Sequence, residues 1–245
     1  MIKKVGIVGY GAFGQLMDKH LQEFCSIEIF NRDDLHELKD NNQEQIKRLQ
    51  TLDHIIISVT LESFEEVCGV LSKHIASNTV VTDVCSVKVS PVEMMQKHFL
   101  NNEIVATHPV FGPQSAAAGL ENLKIVTHNV SASTESYLEI KDFLQHKLKL
   151  LIIEMTPAEH DHEMAYVQGL SHFIAQALER MNIPDSPVAT YSYRQLLKLR
   201  ELIGKDSFEL FKTIENGNPE TEKIRQKFLQ SLGDLENILR EDTVV

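Results

Sequence analysis

Gly9, Gly11 and Gly14, in the stretch GYGAFG, stand directly behind the apolar run VGIV and at the head of the helical pattern AFGQLMDKHLQEF. A strand that turns on glycine straight into a helix commits the chain to a βαβ beginning. The first glycine permits the tight turn, the second lets backbone approach a pyrophosphate, and the third lets helix pack on strand, while the helix N-terminus faces the anion. The turn from Gly9 to Gly14, with Ala12 and Phe13 inside it, is therefore the expected cofactor cradle.

The rhythm set by that turn continues to residue 155. KKVGIVG, IEIFN, DHIIISV, NTVVTDV, EIVAT, LKIVTHNV and KLLIIEM are short, β-rich and nearly continuous in apolar residues. Between them, AFGQLMDKHLQEF, LESFEEVCGVLSKHI and SYLEIKDFLQHKL repeat apolar residues at three- and four-residue spacing. Buried strands alternating with amphipathic helices predict an α/β class, a doubly wound, parallel, Rossmann-type sheet over residues 1–155. The polar stretch LHELKDNNQEQIKRLQTL stands where such folds usually place a third strand, reads as helical or looped, and predicts an abbreviated region. From residue 156 the character changes: Thr156 is placed as an N-cap and Pro157 as the first helical residue of a long apolar pattern. YSYRQLLKLRELIG and PETEKIRQKFLQSLGDLENILRE follow, set off by turn signals at GKDS and NGNP. An all-α second domain is expected over residues 156–245.

The residue ending the second strand discriminates between nicotinamide cofactors, because a carboxylate there binds the ribose 2'-hydroxyl of NAD and repels the 2'-phosphate of NADP. This chain has Asn31 followed by Arg32. A neutral side chain beside a guanidinium favours NADP; Asp33 and Asp34 follow at once and leave NAD possible. The net charge of −11 repels phosphate backbones and anionic bilayers, so neither nucleic acid nor membrane is an expected partner. No apolar run reaches the roughly 18 residues that a membrane span needs, and the start MIKKVGIVGYG lacks signal-peptide features, which reads as cytoplasmic. Cys25, Cys68 and Cys85 have no CxxC spacing and read as reduced, mostly buried thiols. In EHDHEM, His160 and His162 lie two apart, where helical side chains diverge, so no metal site is expected.

His108 lies in ATHPVFGP, at the end of a predicted strand, where ligands bind in doubly wound sheets. A neutral imidazole in that position can take the proton of a substrate hydroxyl while hydride leaves the same carbon. A histidine that caps the strand without chemistry is the other reading. Pro109 and Pro113 stiffen the loop on either account.

The segment THPVFGP resembles the THPMFGP segment of the prephenate and arogenate dehydrogenases of tyrosine biosynthesis, with Val110 in place of the usual methionine. GYGAFGQ is similar to that family's nucleotide turn, DVCSVK (Asp83 to Lys88) to its SVK segment, and AEHDHEMAYVQGLSHFIAQAL to the first helix of its second domain. SYRQLLKLRELIGKDSFELF is similar to it too, notably to the plant arogenate enzymes. The resemblance implies an oxidative decarboxylation of prephenate to 4-hydroxyphenylpyruvate, or of arogenate directly to tyrosine, with Asn31 and Arg32 favouring NADP as its cofactor. It further implies that His108 is catalytic, that Ser86 lies near the reacting hydroxyl and the nicotinamide, and that His172 lines the substrate pocket. Arg194 and Arg200 fall at or beside positions where bacterial members bind a substrate carboxylate.

Two rival readings use the same glycine turn. A β-hydroxyacid dehydrogenase would need a helical-domain lysine, for which Lys198 is the candidate; a nucleotide-sensing protein would need neither Ser86, His108 nor His172. Ile224, Phe228, Leu232, Leu235 and Leu239 recur at helical spacing in the last pattern, and with the family resemblance they lead to an expected homodimer through the helical domain. Phe208 and Phe211 in SFELF are expected to be helix core.

Overall fold

From Val5 to Val8 every residue of the first strand is apolar or glycine and every one is buried, as a strand covered on both faces requires. The computed structural model describes residues 2–203 and 206–241. The chain divides into two compact units, Met1–His160 and Asp161–Val245. The division falls inside a helix that begins at Pro157, rather than at residue 156 where the sequence changes character.

The first unit is a seven-stranded sheet: β1 (Lys4–Val8), β2 (Ser26–Phe30), β3 (His54–Ile57), β4 (Val80–Asp83), β5 (Ile104–Pro109), β6 (Lys124–Asn129) and β7 (Leu151–Glu154). Their order is β2-β1-β3-β4-β5-β6-β7. All neighbours run parallel except β5 and β6, so β6 and β7 point opposite to the other five. All seven strands occur where their apolar runs predict them, but the fully parallel sheet does not. Buried strands carry no mark of direction in their composition, which is why the reversal is invisible in the sequence.

Helices α1 (Ala12–Leu21), α2 (Arg32–Lys39), α3 (Gln43–Gln50), α4 (Leu61–Leu71), α5 (Val89–His98) and α6 (Thr134–Asp142) connect the strands. The polar stretch before β3 forms the short helices α2 and α3, begun by Asn31 and Asn42, whose side chains accept hydrogen bonds from the backbone two and three residues on. Leu38, Leu49 and Leu52 anchor this stretch in the core. That core lies between the sheet and α2 to α5, and includes Phe30, Ile55, Ile57, Phe64, Met95 and Phe99. The chain runs from β2 to β3 across β1, so the order reverses beside β1, at whose carboxyl end the glycine turn sits.

The second unit is helical. The end of α7 (Pro157–Met164) passes through a wide π-helical turn, Ala165–Leu170, into α8 (Ser171–Arg180), followed by α9 (Tyr191–Ile203), α10 (Phe208–Gly217) and α11 (Pro219–Glu241). A Cβ on Gly169 would come within 2.6 Å of the Thr221 side chain, so only glycine lets the π-helical turn lie this close to α11. Asn218 caps α11 through Glu220 N–H and donates 2.6 Å to the Asp161 carbonyl. Phe208 corrects an expectation: it is 47% exposed and stacks on Phe211 at the surface instead of entering a core. Beyond Phe228 the apolar residues of α11, Leu232, Leu235 and Leu239 among them, are also exposed.

Candidate active site

Parallel pairing brings the carboxyl ends of β1, β3, β4 and β5 to one edge of the sheet, with Val8 opposite Ile57 and Ile57 opposite Asp83. The glycine turn, Asp83–Lys88 and His108 all lie along that edge.

At the turn, Gly9 adopts φ +98°, a left-handed conformation that favours glycine, and a Cβ there would fall 2.2 Å from the Ser58 carbonyl oxygen. A Cβ on Gly14 would fall 2.2 Å from the Gly9 carbonyl oxygen, so helix α1 packs directly on the turn. At Gly11 a Cβ would meet nothing within 4 Å. Gly11 is the N-cap of α1; no side chain caps this terminus and no acidic residue stands in its first turn. Crowding therefore explains Gly9 and Gly14, while Gly11 is bare toward open space beside uncapped N–H groups. These residues fit a dinucleotide's pyrophosphate. Ala12 and Phe13 continue the turn, and the Phe13 ring lies 6.1 Å from that of Phe111, in the loop after His108.

At the end of β2, the Asn31 side-chain oxygen is engaged by the N–H groups of Asp33 and Asp34, and the Asp34 carboxylate accepts the Asn31 N–H and pairs with Arg48 at 3.2 Å. Asp34 is thus held by its own helix. Arg32 and Asp33 are exposed, and among the described residues Arg32 has no ion-pair partner.

The DVCSVK segment is pinned by a buried carboxylate. Asp83 accepts from Cys85 N–H at 3.0 Å and from Thr107 N–H at 3.1 Å, and pairs with Lys88, whose side chain is only 2% exposed. The Thr107 hydroxyl donates to the Asp83 carbonyl. Ser86, half-buried, is carried on this pinned loop, and Thr107 immediately precedes His108. The SVK segment is visible in the sequence, but the role of Asp83 in joining it to the His108 strand is not, because the contact spans 24 residues.

His108 is 3% exposed, and burial, His160 and Lys88 hold its pKa well below the usual histidine value, so its ring is neutral near pH 7. Its Nδ1 lies 2.7 Å from Nε2 of fully buried His160, the rings meeting edge-on. His162 is exposed, 3.9 Å from Glu220. Among the described residues no cluster of three or more His, Cys, Asp or Glu side chains could hold a metal ion. Burial pushes the Cys25 and Cys68 thiols up to about 11 and about 12, and Cys85 also rises, so all three are protonated.

In the helical unit, His172 follows the π-helical turn and is buried, with a pKa lowered to about 4 by desolvation. Its Nδ1 has no hydrogen-bond partner among the described residues, and its Nε2 lies 3.8 Å from the Asp206 carboxylate. Asp206, an unforeseen neighbour, has its pKa raised by burial. Arg200 donates to the Ile183 carbonyl at 2.6 Å and lies 3.6 Å from Glu179. Arg194 is exposed, and its guanidinium Nε donates to the Ala189 carbonyl at 3.4 Å. Lys198 is exposed on α9.

Residues 30–146 match the family model described as "Prephenate dehydrogenase, nucleotide-binding domain", and residues 177–244 match "TYRAAT1-like, C-terminal domain". Arogenate dehydrogenase 1, chloroplastic, of Arabidopsis thaliana is 28% identical over 92% of this chain and 37% of its own length. The T-protein of Haemophilus influenzae is 29% identical over 70% of this chain and 43% of its own length. The chain thus spans well under half of these two curated relatives. In fold it resembles the Aquifex aeolicus prephenate dehydrogenase solved with hydroxyphenyl propionate and NAD+ (TM-score 0.74, 20% identity, 100% of this chain and 93% of that one). Synechocystis arogenate dehydrogenase gives a TM-score of 0.70 at 19% identity, over 98% of this chain and 93% of that one.

Proposed function

We propose that the chain is a member of the prephenate and arogenate dehydrogenase family, and that it oxidises and decarboxylates prephenate with NADP as the preferred cofactor. The observation that carries the reading is His108: a buried, neutral imidazole at the ligand-binding edge of the sheet, on a strand tied through Asp83 to the loop bearing Ser86. A base that must accept a hydroxyl proton has to arrive unprotonated, and desolvation keeps this one so. Ser86 is assigned to the same hydroxyl. A bound nicotinamide cofactor supplies the hydride acceptor. Gly9, Gly11 and Gly14, with Ala12 and Phe13, hold its pyrophosphate, and Arg32 meets a 2'-phosphate.

For the substrate's carboxylates we assign Arg194 rather than Arg200, whose guanidinium is already engaged by Glu179 and the Ile183 carbonyl. His172 offers Nδ1 to the substrate. Arogenate, which carries an ammonium where prephenate has a keto group, is the second reading, favoured by the Asp206 carboxylate beside His172. The Arabidopsis thaliana relative named for arogenate supports it as well. Steady-state kinetics with each substrate and each cofactor, following reduced nicotinamide absorbance, test the whole reading. His108→Asn should lower kcat about a hundredfold or more with little change in cofactor affinity. Near-normal turnover by that variant would remove His108 from the chemistry.

A further inference from the structure

The 2.7 Å contact between His108 Nδ1 and His160 Nε2 joins two buried imidazoles, and at that distance one nitrogen must carry hydrogen and the other a lone pair. Two N–H groups or two lone pairs would repel. Only two arrangements of neutral rings remain. If His160 donates, the His108 proton sits on Nε2, and that nitrogen has no lone pair for a substrate. If His108 donates from Nδ1, its Nε2 lone pair is free.

We propose that His160 is a positioning residue: its Nε2 accepts the His108 Nδ1–H and so holds His108 in the tautomer whose Nε2 takes the substrate proton. The inference rests on the assignment of His108 as general base. In the proton step the substrate O–H bond breaks, an N–H bond forms at His108 Nε2, and the O–H electron pair stays on oxygen to build the carbonyl. The resulting imidazolium keeps donating from Nδ1 to His160, a stabilisation that strengthens as charge develops. The edge-on meeting of the rings, 73° between planes, also fixes the direction in which Nε2 can point. His160 is itself placed by helix α7, whose first turn is set by Thr156: the Thr156 carbonyl accepts the His160 N–H at 2.9 Å, and Glu159 and Thr156 cap each other. Each step upstream of His108 is therefore built into the start of one helix.

Two variants and one spectroscopic readout test this. His160→Leu removes the acceptor, whereas the His160→Gln amide oxygen can reach the position of the lost ring nitrogen. Long-range proton–nitrogen NMR of the imidazoles should find His108 Nε2 unprotonated in the wild type and in His160→Gln, and protonated in a substantial fraction of His160→Leu. His160→Leu should lose about ten- to a hundredfold in kcat, the scale for second-layer partners of a functional histidine. The cofactor dissociation constant should not change, and Gln should restore most of the loss. Wild-type protein with Nε2 protonated overturns the proposal without any variant. Wild-type kcat in His160→Leu, or an equal loss in both variants, also overturns it. If the wild type turns over neither prephenate nor arogenate yet its tautomer shifts as described, the functional reading fails and the pairing stands.

Discussion

His54 offers a measurement of what burial costs a titratable ring in this sheet. It lies in β3, its Nε2 3.0 Å from the Thr82 hydroxyl, which itself donates to the Ile55 carbonyl at 3.3 Å. The hydroxyl proton is thus spent, His54 must donate from Nε2, and the ring is neutral. Desolvation lowers its pKa from 6.5 to about 4. The unfolded chain therefore binds a proton that the folded chain refuses: stability is full above about pH 6.5 and falls as pH drops from there towards 4. With those two values, the loss assigned to His54 is about 2 kcal/mol at pH 5 and about 3 kcal/mol at pH 4. His54→Gln keeps a donor toward Thr82 and has nothing to titrate. Urea denaturation of both proteins at pH 7.5 and pH 5 isolates the ring, because His108 and His172, whose pKa values are also lowered, titrate in both and cancel. The stability gap between wild type and variant should change by about 2 kcal/mol between the two pH values, in favour of the variant at pH 5. A gap that stays constant refutes the argument that burial holds His54 neutral.

The glycine turn should separate folding from binding: Gly14→Ala, forced against the Gly9 carbonyl, should destabilise by about 1–3 kcal/mol in denaturant titration. Gly11→Ala should stay within about 1 kcal/mol of wild-type stability yet weaken cofactor binding about tenfold or more, since its methyl enters open space where phosphate would approach. Arg32→Ala should weaken NADP and leave NAD untouched, as read from kcat/KM for both; a wild-type preference for NAD would mean that Asp33, the exposed carboxylate at this strand end, takes the ribose instead. Light scattering should report a dimer that Leu232→Glu with Leu235→Glu converts to monomer, and a fully active wild-type monomer at micromolar concentration would refute the helical-domain interface.

What the sequence discloses here is local. The seven strands follow from apolar runs, the helix that leads into the second unit from Thr156 and Pro157, and the tight turn into α1 from glycine spacing. The direction of β6 and β7, the exposure of Phe208, the Asp83–Lys88 pair and the meeting of His108 with His160 depend on residues distant along the chain. EHDHEM displays two histidines, but nothing in it distinguishes His160, which turns inward, from His162, which turns to solvent; helix phase relative to the sheet decides that. In the same way, Asp206 reads as an ordinary turn residue until its carboxylate is found beside His172. Arg200 shows the converse: its place at or beside a family position gives no hint that Glu179 and a backbone carbonyl already occupy it.

The Asp83–Lys88 pair also bears on how such a chain can drift. Replacing either residue alone leaves a buried charge without its counterpart, a loss of about 3–5 kcal/mol, which is a large part of the roughly 5–15 kcal/mol that holds a typical domain folded. Because the same carboxylate ties Thr107 and the loop of Ser86, that loss would fall on the β4 loop and the β5 strand together. For a lineage moving one substitution at a time, positions 83 and 88 therefore behave as a single locus with two letters. A transplant of this edge onto another parallel sheet would have to move residues 83–88 and 107–108 as one inherited block.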